Sequence, residues 1–159
     1  MLKLSALKMI DIPPVWLIGA LAAAWQIGQW RPFGLSFGQG GFGAAADLAG
    51  GLLVGGGIIL MLLAVAEMRR QRTTVIPHLE ADALVTSGIF KRTRNPIYVG
   101  DVLVLSGLIL RWDAVLALPL IPVFLSILER RFVIPEENRL RRAFGVQFAK
   151  YCQSVRRWV

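Results

Sequence analysis

The sequence predicts an all-α integral membrane protein with about four transmembrane helices and a cytoplasmic amphipathic helix at the C-terminus. Three observations carry that expectation. Hydrophobic residues make up 55% of the 159 residues and charged residues 18%, with a mean hydropathy of +0.58. A soluble domain carries roughly 45–50% apolar and about 25% charged residues. The apolar residues gather into four blocks, and the cations, which give a net charge of +8, fall on one side of them. The length suits one domain rather than two. A single cysteine, Cys152, forms no internal disulfide, and a single histidine, His78, excludes a zinc site of several histidines.

The first block, Ile12 to Trp30, is free of charge and carries Trp16, Trp25 and Trp30. It is read as a retained span rather than a cleaved leader, because the apolar run continues past Ala22-Ala23-Ala24. The second block, Leu48 to Ala66, is also uncharged. Both approach the roughly 20 apolar residues that a spanning helix needs. Gly51 and Gly55, four apart, predict close helix packing. Between the two, the glycine-rich segment from Gly34 to Gly43 reads as an external loop. The third and fourth blocks, Ile97 to Leu110 and Ala114 to Leu128, are shorter and separated by a tight turn at Arg111-Trp112-Asp113. They predict a helical hairpin.

The cations orient these blocks. Lys3 and Lys8 precede the first, six from Arg69 to Arg94 separate the second from the third, and eight from Arg130 to Arg157 follow the fourth. Only Arg31 and Arg111 fall on the other side. Positive charge marks the cytoplasmic face, so four crossings put both termini and the middle segment in the cytoplasm. The basic charge is then an orientation signal and a contact for anionic headgroups, not a nucleic-acid footprint.

Chemistry is expected in the polar segments. Gly88 suits a turn, and Asn95-Pro96 marks a rigid entry into the third block, with Pro96 in the first turn of a helix. Pro135-Glu136-Glu137 starts another helix, with two acids on the favourable end of its dipole. Leu140, Phe144, Phe148 and Tyr151 form its apolar face. Glu67 and Glu129 are read as reaching the membrane interface. Asp101, inside the third block, is expected to pair with an arginine of the middle segment. There is no metal cluster, nucleophilic triad, phosphate-binding loop or dinucleotide fingerprint.

Two ordered stretches resemble a known family. Arg94-Asn95-Pro96-Ile97-Tyr98-Val99-Gly100 is similar to the Arg-(His/Asn)-Pro-x-Tyr-x-Gly motif of the isoprenylcysteine carboxyl methyltransferases, which are related to the phospholipid methyltransferases. Leu84-Val85-Thr86-Ser87-Gly88-Ile89-Phe90 precedes it at the family's spacing. Glu136-Glu137, Leu140, Phe144-Gly145, Phe148, Tyr151, Val155 and Arg156 resemble its C-terminal pattern. Asn95 stands where members with prenylated substrates often carry histidine, and Phe90 where they usually carry tyrosine; short bacterial relatives share the asparagine.

The resemblance implies an integral membrane methyltransferase of the bacterial inner membrane that moves a methyl group from S-adenosylmethionine to a lipid or lipid-like carboxyl or amine. It implies a single domain, with residues 1–66 as a two-helix anchor and 67–159 as cofactor segment, hairpin and C-terminal helix. It places His78, Leu84, Val85, Gly88, Arg94, Asn95, Pro96, Tyr98 and Glu136 at the cofactor, with Arg94 holding its carboxylate. Phe90, Arg131, Phe132 and Glu137 are the implied substrate contacts. Methyl transfer is an in-line displacement in which positioning supplies much of the catalysis, so the missing nucleophile and metal are consistent with it. Two other readings of the same residues are an NADPH-dependent reductase of the steroid-reductase-like type, whose motif also ends in an acid as Gly100-Asp101 does here, and a non-enzymatic membrane scaffold.

Overall fold

A computed structural model describes residues 11–30, 34–38, 41–72 and 83–159. All regular structure among them is helical. Five α-helices follow in order: α1 Pro13–Gln29, α2 Gly43–Arg70, α3 Pro96–Arg111, α4 Leu120–Leu128 and α5 Ile134–Ser154. Short 3-10 turns occupy Gly88–Lys91 and Val115–Ala117, and a π-helical turn, Glu129–Val133, joins α4 to α5. Prolines open the elements as expected: Pro13 in the first turn of α1, Pro96 at the start of α3, Pro135 in the first turn of α5.

Length separates the helices. Among the described residues only α2, with 28 residues, is both long and apolar enough to cross a membrane on its own. α1 has 17 residues, α3 has 16 and α4 has 9. The fourth apolar block is therefore not one helix: a 3-10 turn takes up its first residues, and α4 begins only at Leu120.

The chain forms two compact units. The first contains α1, residues 43–57 of α2, 101–111 of α3 and the chain onward to Leu125. Its closest approach is between two glycines. A Cβ on Gly107 would lie 2.5 Å from the Gly50 carbonyl oxygen and 2.9 Å from the Val54 nitrogen; one on Gly50 would lie 2.6 Å from the Gly107 carbonyl oxygen. α2 and α3 thus touch backbone to backbone, as small residues permit. The pair is not the one expected from spacing. Gly55 and Gly56 would meet nothing within 4 Å, and Gly51 only the Arg111 guanidinium. At the far end, Gly28 of α1 packs on Ala114, and the Phe37 N–H donates to Asp113 at 2.7 Å. Asp101 is buried, but its Oδ2 has no hydrogen-bond partner. The expected pairing with an arginine is not formed through that oxygen.

The second unit contains residues 58–70 of α2, 83–100 and 126–159. Ala64, Val85 and Phe90 form one cluster with Met68, Ile89 and Ile97 packed against it. Leu128, Phe132, Val133 and Phe148 are almost fully buried. The π turn has a local cause. Pro135 has no N–H for the Arg131 carbonyl, and its ring would crowd that carbonyl in an α-helix. A wider turn just before it, closed by the Ile134 N–H on the Glu129 carbonyl, relieves the clash while the helix continues. α5 is itself broken at Gly145, whose φ of 44° and ψ of −113° are not helical. The apolar face read as continuous is therefore split, and Phe148 and Tyr151 beyond the break are the buried pair.

Replacing Gly107 by alanine tests the backbone contact. Overpacking costs roughly 1–3 kcal/mol, against a gain of up to about 1 kcal/mol for removing glycine from a helix. Gly107→Ala is expected to lower the melting temperature in detergent, while Gly56→Ala leaves it equal or higher.

Candidate functional site

The second unit brings most of the motif residues together. After Val85 the chain turns at Gly88, which has φ of +58°. The 3-10 turn that follows directs Phe90 inward, and the Phe90 carbonyl accepts a 2.7 Å bond from the Tyr151 hydroxyl. Burial holds that phenol above its ordinary pKa, so it stays a donor. Residues 93–95 then run against the C-terminal tail. The Arg94 N–H donates to the Arg156 carbonyl at 3.0 Å, the Thr93 hydroxyl to the Arg157 carbonyl at 3.1 Å, and Asn95 Nδ2 to that same carbonyl at 3.0 Å. Pro96 is fully buried and starts α3.

Arg94 is the hub of this arrangement. Its guanidinium donates to the Cys152 carbonyl at 3.3 Å and the Val155 carbonyl at 2.9 Å, which lie at the end of α5. Terminal carbonyls of a helix lack partners within it, and Arg94 supplies one. Its other nitrogen pairs with Glu137 Oε1 at 2.8 Å. Arg157 holds the same carboxylate from the other side, with Nε on Oε1 at 3.1 Å and Nη2 on Oε2 at 2.7 Å, and its Nη1 pairs with Glu129. Burial alone would raise the Glu137 pKa, but the bonds from Arg157 and Arg94 outweigh it and hold the carboxyl below its ordinary range.

One residue away, Glu136 has a different setting. It is half-buried, and its Oε2 accepts a 3.0 Å bond from the Tyr98 hydroxyl. The Tyr98 ring stacks on Phe132 with centroids 6.3 Å apart. Consecutive residues on a helix point about 100° apart, so two neighbouring acids serve two sides of the unit. Glu137 is locked inward; Glu136 sits at the partly open N-terminal end of α5.

Several expectations change. The two terminal nitrogens of the Arg94 guanidinium, expected at a cofactor carboxylate, bond Glu137 and the α5 carbonyls. Only Nε is buried without a hydrogen-bond partner. Glu137 and Asn95 are buried frame residues with internal partners. Phe90 and Phe132 are core residues, while Arg131 is exposed and Leu84 half-buried. Glu67 does not reach outward but accepts from Ser87, and Glu129 is drawn to Arg157. His78 lies outside the described residues. Arg157 was not singled out by sequence beyond its place in the Arg156-Arg157 pair, and Glu129 was read only as an interface residue.

The Glu137 pair makes a signed prediction. A carboxyl whose folded pKa is lowered contributes stability that is full above its unfolded value, near 4.5, and is lost as pH falls through the folded value. Wild type should therefore lose stability below about pH 4.5. Glu137→Gln should flatten that slope in thermal melts, and Glu137→Ala should cost about 3 kcal/mol at neutral pH by stranding buried arginine.

Searches of curated proteins and of solved structures find no match to the chain. The family model for phospholipid methyltransferases matches residues 46–147, taking in most of α2, the Gly88 turn, the Arg94-to-Gly100 motif and both acids at the start of α5. With well over half of its length covered by that match, the chain belongs to the phospholipid methyltransferase family.

Proposed function

We propose that the protein is a four-span membrane enzyme that transfers a methyl group from S-adenosylmethionine to the headgroup of a lipid, through a site in the second unit at its cytoplasmic face. The observation that carries this reading is the family match across the Gly88 turn, Tyr98 and Glu136, three features that fold into one unit. In it, α1, α2 and the hairpin of residues 96–128 make the crossings, and 1–159 is a single methyltransferase domain. The exposed Trp25 and Trp30 suit the membrane interface. Every exposed charged residue among the described part of the second unit is a cation, which suits a cytoplasmic leaflet of anionic lipid.

The residues present fit the cofactor. S-adenosylmethionine supplies a methyl group on a sulfonium centre. Glu136 is a half-buried carboxylate, a group that accepts from ribose hydroxyls or an ammonium group. Tyr98 orients that carboxylate, and Phe132 fixes the Tyr98 ring. Gly88 is exposed in its turn, and a residue without a side chain lets a ligand approach the backbone closely. Arg94 and Asn95 hold the frame and do not grip the ligand. The chain's work is to align acceptor and methyl group and to exclude water.

Calorimetry on the purified protein in detergent tests this. Wild type is expected to bind S-adenosylmethionine, and Glu136→Gln to weaken binding by roughly 10- to 100-fold, the equivalent of a charged hydrogen bond. Membrane lipids from expressing cells should contain a species one CH₂ group heavier. Absence of binding by wild type overturns the reading.

A further inference from the structure

Glu67 lies in the last turn of α2 and is 9% exposed, unusually deep for a carboxylate at a helix end. One partner comes from the 84–90 segment, and the Arg70 guanidinium lies 3.7 Å from its Oε2. The Ser87 hydroxyl donates to Oε1. Gln71, in the turn that follows α2, donates to Ser87 Oγ at 3.1 Å and to the same Glu67 oxygen at 3.4 Å, so three side chains close a triangle. Gly88 completes the fit. A Cβ at that position would lie 2.9 Å from Glu67 Oε2, 3.0 Å from Cδ and 3.1 Å from Cγ. Glycine is thus required twice, for its positive φ and for the space the carboxylate fills. Glu67 cannot swing away to make room without leaving Ser87.

This contact reaches further than the turn. Ala64, on the same face of α2, packs in the cluster that holds Val85 and Phe90. The Phe90 carbonyl in turn anchors Tyr151, in the part of α5 beyond the Gly145 break. The end of α2 therefore fixes both the height of the Gly88 turn and, through Phe90, the C-terminal half of α5. We propose that Glu67 is a positioning residue for the S-adenosylmethionine site: it holds the Ser87–Gly88 turn in the one conformation whose backbone can face the cofactor. This rests on the cofactor reading above.

The test uses the full chain in detergent and two readouts. Hydrogen exchange without cofactor reports on the turn itself, where the Phe90 and Arg92 amides are bonded to the Ser87 and Ile89 carbonyls. Glu67→Ala is expected to speed exchange at both amides. It should also raise KM for S-adenosylmethionine roughly 10- to 100-fold, as a misplaced binding segment does, with kcat within about twofold of wild type. Glu67→Gln keeps an oxygen for Ser87 and should recover most of the loss, which a general decline in stability would not allow. Should Glu67→Ala fail to fold, Ser87→Ala removes only the donor and should shift KM in the same direction. Unchanged exchange and KM, or a fall in kcat at constant KM, overturns the proposal. If wild type binds no S-adenosylmethionine, the cofactor reading fails alone, and the exchange rates still decide whether Glu67 holds the turn.

Discussion

The second unit depends on one buried carboxylate. Glu137 accepts from Arg94 and Arg157, which come from stretches of chain more than sixty residues apart. Leaving any one of the three charges unpaired in a poorly hydrated interior would cost several kcal/mol. Each charge therefore enforces the position of the others. Arg94 extends the constraint to the carbonyls that end α5, and the bonds from residues 93–95 to the carbonyls of 156 and 157 align the stretches of chain that carry it. The tail of the protein is in this way part of the unit's interior rather than an appendage.

That constraint explains why neighbouring acids behave differently. Glu137 is consumed by the frame, and because it is, Glu136 on the next position of the helix presents its carboxylate at the more open side, where Tyr98 steadies it. The π turn before Pro135 runs into α5 without a break, so Phe132 and Glu136 come from one continuous helical run. Continuous helix thus holds Phe132 under Tyr98 and Tyr98 against Glu136, and no group of three metal-ligating side chains occurs among the described residues. Methyl transfer to a lipid, the chemistry of the family, asks mainly for alignment.

Much of this was legible in local sequence. Prolines 13, 96 and 135 mark helix starts because a ring without an N–H fits only there or at a distortion. The uncharged run of α2 exceeds what any loop or short helix would carry. Gly88 reads as a turn because few other residues take a positive φ. The motif from Arg94 to Gly100 pointed to the family that the comparison then found. What was misread shares one property. The packing glycines are Gly50 and Gly107 rather than Gly51 and Gly55, since a face of a helix is chosen by its partner, and the spacing of small residues is nearly the same one position along.

The sequence alone determined the helical class, the three helix starts marked by proline, the segregation of charge and the family. Those depend on residues close together in the chain, or on composition, and both survive without knowledge of contacts. Tertiary structure alone decided what each polar residue does. With eighteen cations and ten acids available, no local rule distinguishes the arginine that binds a ligand from the one that pairs with Glu137. Burial makes that choice, because a charge removed from water must be matched by a partner whose place only the folded chain defines.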